Sequence, residues 1–223
     1  MAGRFLSEWL EPRNYWYKTS SHNQGNAYGD FRGSNELWAA WLFKRMSGVN
    51  VFSEDQQYFP YEWLYSRRAD GQVLRDGDDY WQAGTSPYWT GWLSTLGLCA
   101  NLYGDEYLKR EFEREYPNMA SFSNSLAMFT PVTHLAFNDP NLNGKAISEL
   151  PLTRYFAAPK GMMIARTGWN DGVESPDVLV SMEINEHYPA NHAHLQNGHF
   201  QIYYKGMLTG DSGRYDDGYG TDH

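Results

Sequence analysis

The chain has 223 residues, a formal net charge of −9 from 18 Lys+Arg against 27 Asp+Glu, and one cysteine. That length accommodates one large domain or two smaller ones. The acidic balance argues against a nucleic-acid partner, one Cys excludes an internal disulfide framework, and no apolar run approaches the roughly 18 residues of a membrane span.

Leu, Ile, Val and Phe make up only about 18 % of the residues, a level that in isolation flags disorder. Nine Trp and 17 Tyr supply the missing apolar area, because each such ring buries on the order of 150–250 Å². Aromatics beside many Asn, Asp, Gly and His suit a solvated cleft that stacks on sugar faces. A Leu-poor core filled with rings is the competing reading.

In chain order, residues 1–10 show no apolar signal-peptide core. Residues 20–32, Ser-Ser-His-Asn-Gln-Gly-Asn-Ala-Tyr-Gly-Asp-Phe-Arg, read as a polar loop carrying His22, Asn23, Gln24 and Tyr28. Ser34 is placed to N-cap a helix whose apolar positions are Leu37, Trp38, Trp41, Leu42 and Met46, with Gly48 as its stop. Residues 74–81, Leu-Arg-Asp-Gly-Asp-Asp-Tyr-Trp, carry Tyr80 and match a calcium loop only loosely. Pro87 opens a second helix marked by Tyr88, Trp89, Trp92, Leu93, Leu96, Ala100 and Tyr103 and ended by Gly104. Cys99 falls within it as a buried thiol. Asp105 caps a third helix with Tyr107, Leu108 and Phe112 on one face and Pro117 closing it.

The style changes between residues 137 and 160, where turn chemistry and two prolines mark a boundary. Beyond it, residues 161–168 read as a strand. Val178, Val180, Met182 and Ile184 alternate with Leu179, Ser181 and Glu183 at the period of a half-buried strand. Residues 199–204 and 207–212 form a hairpin around Lys205-Gly206. The chain then stops after a strand with no closing element, so it reads as cut at both ends: residues 1–150 helical, residues 151–223 the beginning of an antiparallel β domain.

The densest chemistry is Asn191-His-Ala-His-Leu-Gln-Asn-Gly-His-Phe. In extended chain His192 and His194 point to the same side, and a meander through the hairpin returns Asp211 to their end of the sheet. His, His and Asp form a partial zinc set, since structural zinc takes four ligands. A surface His-rich loop is the alternative.

These segments, together with Leu152-Thr-Arg-Tyr-Phe, Arg166-Thr-Gly-Trp, Asp211-Ser-Gly, Ser21-His-Asn-Gln-Gly and Asp76-Gly-Asp-Asp-Tyr, resemble the heparinase II/III-like polysaccharide lyases, the heparinase II branch most closely. The resemblance covers most of the chain and is most specific in its last third. It implies an α+β multidomain fold: part of an α/α toroid over residues 1–150, followed by the start of an antiparallel β-sandwich over 151–223. It implies β-elimination on a uronate-containing acidic polysaccharide, heparin or heparan sulfate first and alginate or another glycosaminoglycan next. It also implies a periplasmic or secreted parent protein, with neither nucleic acid nor membrane as partner and the oligomeric state open.

Carried over residue by residue, His192 is the proton-transferring His. His194 and Asp211 are ligands of a structural zinc whose third protein ligand lies beyond residue 223. His22, or Asn23 if the alignment slips by one, neutralises the uronate carboxylate. Tyr80 is the catalytic Tyr, with Tyr88 in reserve. Gln24, Tyr28 and Tyr88 contact substrate. A non-catalytic carbohydrate-binding relative and a toroid glycoside hydrolase are the rival functions, and a piece of this length is expected to show little activity by itself.

Overall fold

A computed structural model describes residues 2–76, 90–115, 130–185 and 197–210, with the backbone alone for residues 2, 25–28, 30, 31 and 90–93. The fold is α+β. Helices α1 (Ala2–Arg4), α2 (Glu11–Tyr17), α3 (Gly25–Ser47), α4 (Tyr61–Ser66), α5 (Thr90–Tyr103), α6 (Glu106–Glu115) and α7 (Pro131–Phe137) precede strands β1 (Thr153–Phe156), β2 (Met162–Arg166), β3 (Leu179–Glu183), β4 (Phe200–Tyr203) and β5 (Met207–Thr209). Two compact units form, each discontinuous in sequence: residues 1–22, 30–61 and 90–146 make the first, and residues 23–29, 62–89 and 147–223 the second.

In the first unit the expected stops at Gly48 and Gly104 and the cap at Asp105 are met, while Pro117 lies outside the described residues. Gly48 (φ +77°) and Gly104 (φ +75°) take the left-handed conformation that ends α3 and α5 at low cost. Asp105 Oδ1 accepts from the Tyr107 and Leu108 amides, both at 2.9 Å, as an N-cap does. Thr130 and Thr133 close a capping box on α7. One expectation fails: Ser34 caps nothing. It lies inside α3, fully buried, because the helix already begins at Gly25. The polar run before it, from Gly25 on, is helical. At Gly33 an added Cβ would stand 2.7 Å from the Phe59 ring, so this glycine admits a close approach rather than breaking the helix. Gly97 likewise receives the Phe112 ring on α5. Leu37, Ala40, Phe59, Leu96, Leu98 and Leu108 are buried around these contacts. Trp38 meets Phe137 edge-on at 5.8 Å.

A polar chain also crosses this unit. Arg13 Nε pairs with Glu36 Oε1 at 2.8 Å, and the Tyr17 hydroxyl donates to the other Glu36 oxygen. Gln56 donates to Tyr17 at 3.2 Å and accepts from the Tyr103 hydroxyl at 2.7 Å. Burial pushes the Glu36 carboxyl above its ordinary range, with Arg13 opposing the shift.

The second unit holds a five-stranded antiparallel meander in the order β1-β2-β3-β4-β5. Its hairpin turns at Lys205 (φ 53°) and Gly206 (φ 157°), as expected from their sequence. The register aligns Tyr155, Met163, Met182 and Phe200 across four strands. It is the other face that is buried: Phe156, Met162, Ile164, Leu179, Ser181, Glu183, Gln201 and Tyr203. In β3 the side that goes inside is therefore Leu179, Ser181 and Glu183, while Met182 is 39 % and Ile184 60 % exposed. Rings and guanidiniums line the buried face. Tyr65 meets Trp169 edge-on at 5.2 Å, Arg166 stacks 3.7 Å from the Trp169 ring and Arg68 5.0 Å from that of Tyr203.

Gly161 joins the loop before β2 to the end of β3. It sits at φ +59°, accepts from the Ile184 amide at 2.8 Å, and would place an added Cβ only 2.1 Å from the Ile184 carbonyl oxygen. Gly161→Ala is expected to lower stability by more than about 2 kcal/mol, combining backbone strain with that clash. Denaturant unfolding measures it, and a loss below about 0.5 kcal/mol would refute the packing described.

Candidate functional site

Only some of the residues singled out in the sequence lie among those described. His22 is 2 % exposed, its ring 6.1 Å from that of Phe59. Gln24 is also buried, whereas Asn23 is half-buried. Tyr28 is on α3 and its side chain is outside the description. Tyr80, Tyr88, His192, His194 and Asp211 all lie outside the described residues, as does Pro87. Among the described residues no group of three or more His, Cys, Asp or Glu is placed to hold a metal ion. An imidazole with a carboxylate, the donors offered by His194 and Asp211, suits zinc chemically.

Cys99 is fully buried on α5, and burial raises its thiol well above the ordinary value. Its Sγ donates to the Gln57 carbonyl at 3.3 Å. It is an inert packing residue, not a nucleophile.

The most unusual arrangement of charge was not foreseen from the sequence. Lys160, fully buried in the second unit, points its ammonium at three carboxylates: Asp76 at 2.7 Å, Glu183 at 3.4 Å and Glu62 at 3.5 Å. Asn185 donates to Glu183 at 2.9 Å. The three carboxylates come from α4, from the stretch just before residue 77 and from the last residue of β3. No spacing rule links positions 62, 76, 160 and 183. The one local signal was Glu183 on the side of the strand that also carries Leu179 and Ser181.

Three buried carboxylates so close to one another each make ionisation of the others harder, and the nearby ammonium makes it easier. Burial raises Glu62 well above the carboxylate range; Lys160 pulls it down, while Asp76 raises it again through its charge and a hydrogen bond. Burial raises Glu183 to about 7, with Lys160 opposing and Asp76 adding to the rise. Lys160 is sealed from solvent, and Asp76, Glu183 and Glu62 are buried around it. The cluster sets the geometry of chain around it.

A second polar junction lies close in sequence. Gln201 Nε2 donates to the Arg75 carbonyl at 2.6 Å, and the Arg75 amide donates to Gln201 Oε1 at 3.1 Å. The stretch that ends at Asp76 is therefore fastened to β4 as well as to Lys160.

Compared with known proteins, the chain matches no protein-family model and no curated protein.

The raised acids make stability depend on pH with a definite sign. A carboxyl whose folded pKa lies above its unfolded value contributes fully below the unfolded value, and that contribution is lost as pH rises through the folded one. For Glu183 the window runs from the ordinary 4.5 to about 7. Unfolding free energy should fall across this window by up to about 1.4 kcal/mol per pH unit for the one proton involved. Glu183→Gln should flatten that slope. Urea titrations of both proteins from pH 4.5 to 7.5 measure it; parallel slopes would remove Glu183 as the titrating group.

Proposed function

We propose that the chain is part of a polysaccharide lyase of the heparinase II/III-like type, cleaving an acidic, uronate-containing polysaccharide by β-elimination. The observation that carries the reading is the order of elements around the His192 motif. Helices come first; then an antiparallel meander follows, whose strand β3 ends shortly before residues 191–194 and whose strand β4 begins shortly after them. That is the setting the motif needs if it is to be carried by a β domain following a helical one.

The exposed sheet face supports the finer architecture. Tyr155, Met163, Met182 and Phe200 form an apolar row across four strands, and they are 63, 40, 39 and 50 % exposed. Half of a sandwich exposes such a face, because a second sheet is what ordinarily covers it. The proposed architecture is therefore a toroid-type helical domain followed by a β-sandwich.

In the proposed mechanism a donor neutralises the uronate carboxylate, which acidifies the proton on C5. Tyr80 or His192 removes that proton, and the other protonates the leaving glycosidic oxygen as the C4–O bond breaks and the C4–C5 double bond forms. Positioned acids and bases contribute typically about 10²–10⁴-fold each. A tyrosine serves as base only where neighbouring charge or hydrogen bonds lower its pKa. Between the two candidates for neutraliser, burial favours Asn23: it is half-buried, whereas His22 is 2 % exposed against Phe59. Gln24, Tyr28 and Tyr88 are the proposed substrate contacts. Zinc held by His194, Asp211 and a further ligand would be structural, tying together the chain that carries His192. The proposed location is the periplasm or the exterior of the cell. No helix among the described residues is long and apolar enough to cross a membrane.

The test is incubation of the full-length protein with heparin, heparan sulfate, alginate and chondroitin sulfate. An ultraviolet-absorbing unsaturated uronate is the expected product. New reducing ends without that chromophore would instead indicate hydrolysis, and retention without cleavage a binding protein. His192→Ala and Tyr80→Phe should each lower turnover by about 10²–10⁴-fold. Asn23→Ala should cost about 10²–10³-fold in kcat, as loss of a charge-stabilising donor does, and more than His22→Ala. The reverse order would return the role to His22.

A further inference from the structure

We propose that the first unit carries a saccharide-binding site between the C-terminal ends of α3, α5 and α7, which takes a sugar unit bearing a carboxylate or a sulfate. A cavity of about 620 Å³ lies there, and Trp41, Lys44, Arg45, Asn101, Asn138 and Asp139 are part of its lining. Small-molecule sites span roughly 300–1,000 Å³. All six residues belong to one unit, and none has a part in the proposed elimination. The ligand class is shared with the proposed substrate, but no step of the lyase chemistry enters the argument.

Charge selects the ligand. Lys44 and Arg45 stand in the last turn of α3, where cations ordinarily offset the negative end of a helix. Lys44 does this for the neighbouring helix: its Nζ donates to the Leu102 carbonyl of α5 at 2.8 Å, which leaves the other N–H donors of the ammonium open. Arg45 makes neither a hydrogen bond nor an ion pair among the described residues. Its guanidinium stands 5.9 Å from the centre of the Trp41 ring, at the outer limit of a cation–π contact. Among the described residues Asp139 is the one acid in the lining. Its Oδ1 is already engaged by Asn141, whose amide donates at 2.9 Å and whose side chain donates at 3.2 Å. Two cations against one engaged carboxylate favour an anion, and the planar fork of Arg45 matches the paired oxygens of a carboxylate or sulfate.

The rest of the lining suits a sugar ring. Trp41 is half-buried and is held edge-on by Trp38, with ring centres 5.6 Å apart. An indole of this kind offers a flat apolar face to the C–H face of a pyranose. A polar wall is built in advance. Asn101 Oδ1 accepts from the Asp139 amide at 2.7 Å, and Asn101 Nδ2 donates to the Gly97 carbonyl at 2.7 Å. Lys109 is 3 % exposed and donates to Asn138 Oδ1 at 2.6 Å and to the Asp139 carbonyl at 3.2 Å. Residues 138 and 139 are thus fastened to α5 and α6, and a ligand meets a wall whose ordering costs it nothing further. A site for a bare inorganic anion has no use for the indole, and a site for an apolar ligand has none for the guanidinium.

The experiment is amide hydrogen exchange of the full-length protein with and without each of three hexasaccharides. Alginate is acidic through carboxylates. Sulfated maltohexaose is acidic through sulfates and has no uronate to eliminate. Maltohexaose is neutral. Exchange in residues 41–48, 101–104 and 136–140 should slow with at least one of the acidic sugars and not with the neutral one, and the sugar that acts identifies the oxyanion. Arg45 is exposed, so Arg45→Ala should fold as the wild type does. It should weaken the binding by about 10–100-fold, as loss of charge-assisted hydrogen bonds does. Trp41→Ala should weaken it by about 2–10-fold.

Equal protection by the neutral sugar, no protection in these segments with any of the three, or wild-type affinity in Arg45→Ala overturns the proposal. If Trp41→Ala does not fold, Arg45→Glu takes its place, and binding that survives this charge reversal overturns it. If the wild-type protein yields no unsaturated product from any polysaccharide, the lyase reading fails on its own account. The exchange result then still decides this site, since sulfated maltohexaose probes it without any cleavage.

Discussion

Among the described residues of the second unit, four separate stretches of chain meet at the buried ammonium of Lys160. Lys160 is sealed from solvent, so its charge must be met inside the protein. Asp76, Glu183 and Glu62 meet it in excess. Burial raises the carboxyls of Glu62 and Glu183 above the ordinary range, with Lys160 opposing the rise. The loop before β2, the end of β3, α4 and the stretch before residue 77 are thus bound to one another by charge and hydrogen bonds, beside the apolar burial of Leu64, Leu74 and Phe156.

The same cluster lies on the buried side of β3. A strand carrying Val180, Met182 and Ile184 on one face and Ser181 and Glu183 on the other would ordinarily turn the apolar face inward. Here Lys160 makes the polar side the buried one. Ser181 and Glu183 go inside with Leu179, and Met182 and Ile184 face outward. Because side chains alternate along each strand and the register is shared, the choice made at Glu183 propagates: Tyr155, Met163 and Phe200 face outward beside Met182.

The first unit solves its packing differently. Its core is apolar and aromatic, but a chain of hydrogen bonds from Arg13 through Glu36, Tyr17 and Gln56 to Tyr103 crosses it. Buried polar groups joined in this way specify a register that apolar contacts alone leave loose. Gly33 and Gly97 have the complementary function, allowing the rings of Phe59 and Phe112 to approach closer than any side chain there would permit.

Local chemistry was legible in the sequence wherever a few neighbouring residues decide the outcome. Gly48, Gly104 and Asp105 end or begin helices because one residue's φ or one side-chain oxygen suffices. The hairpin at Lys205-Gly206 and the strands at 162–166 and 179–183 follow from turn residues and a two-residue period in the same way. Tertiary contact alone decided the rest. The polar run before Ser34 is helix, and Gly33 within that helix packs on Phe59, a partner 26 positions away that no local pattern indicates. The buried side of β3 was set by Lys160, 23 residues upstream of Glu183, and by Asp76, another 84 residues before that. A charge of that kind has no periodicity; whether Lys160 is solvated or buried among acids depends on which distant segments fold against it, and that is a property of the three-dimensional chain.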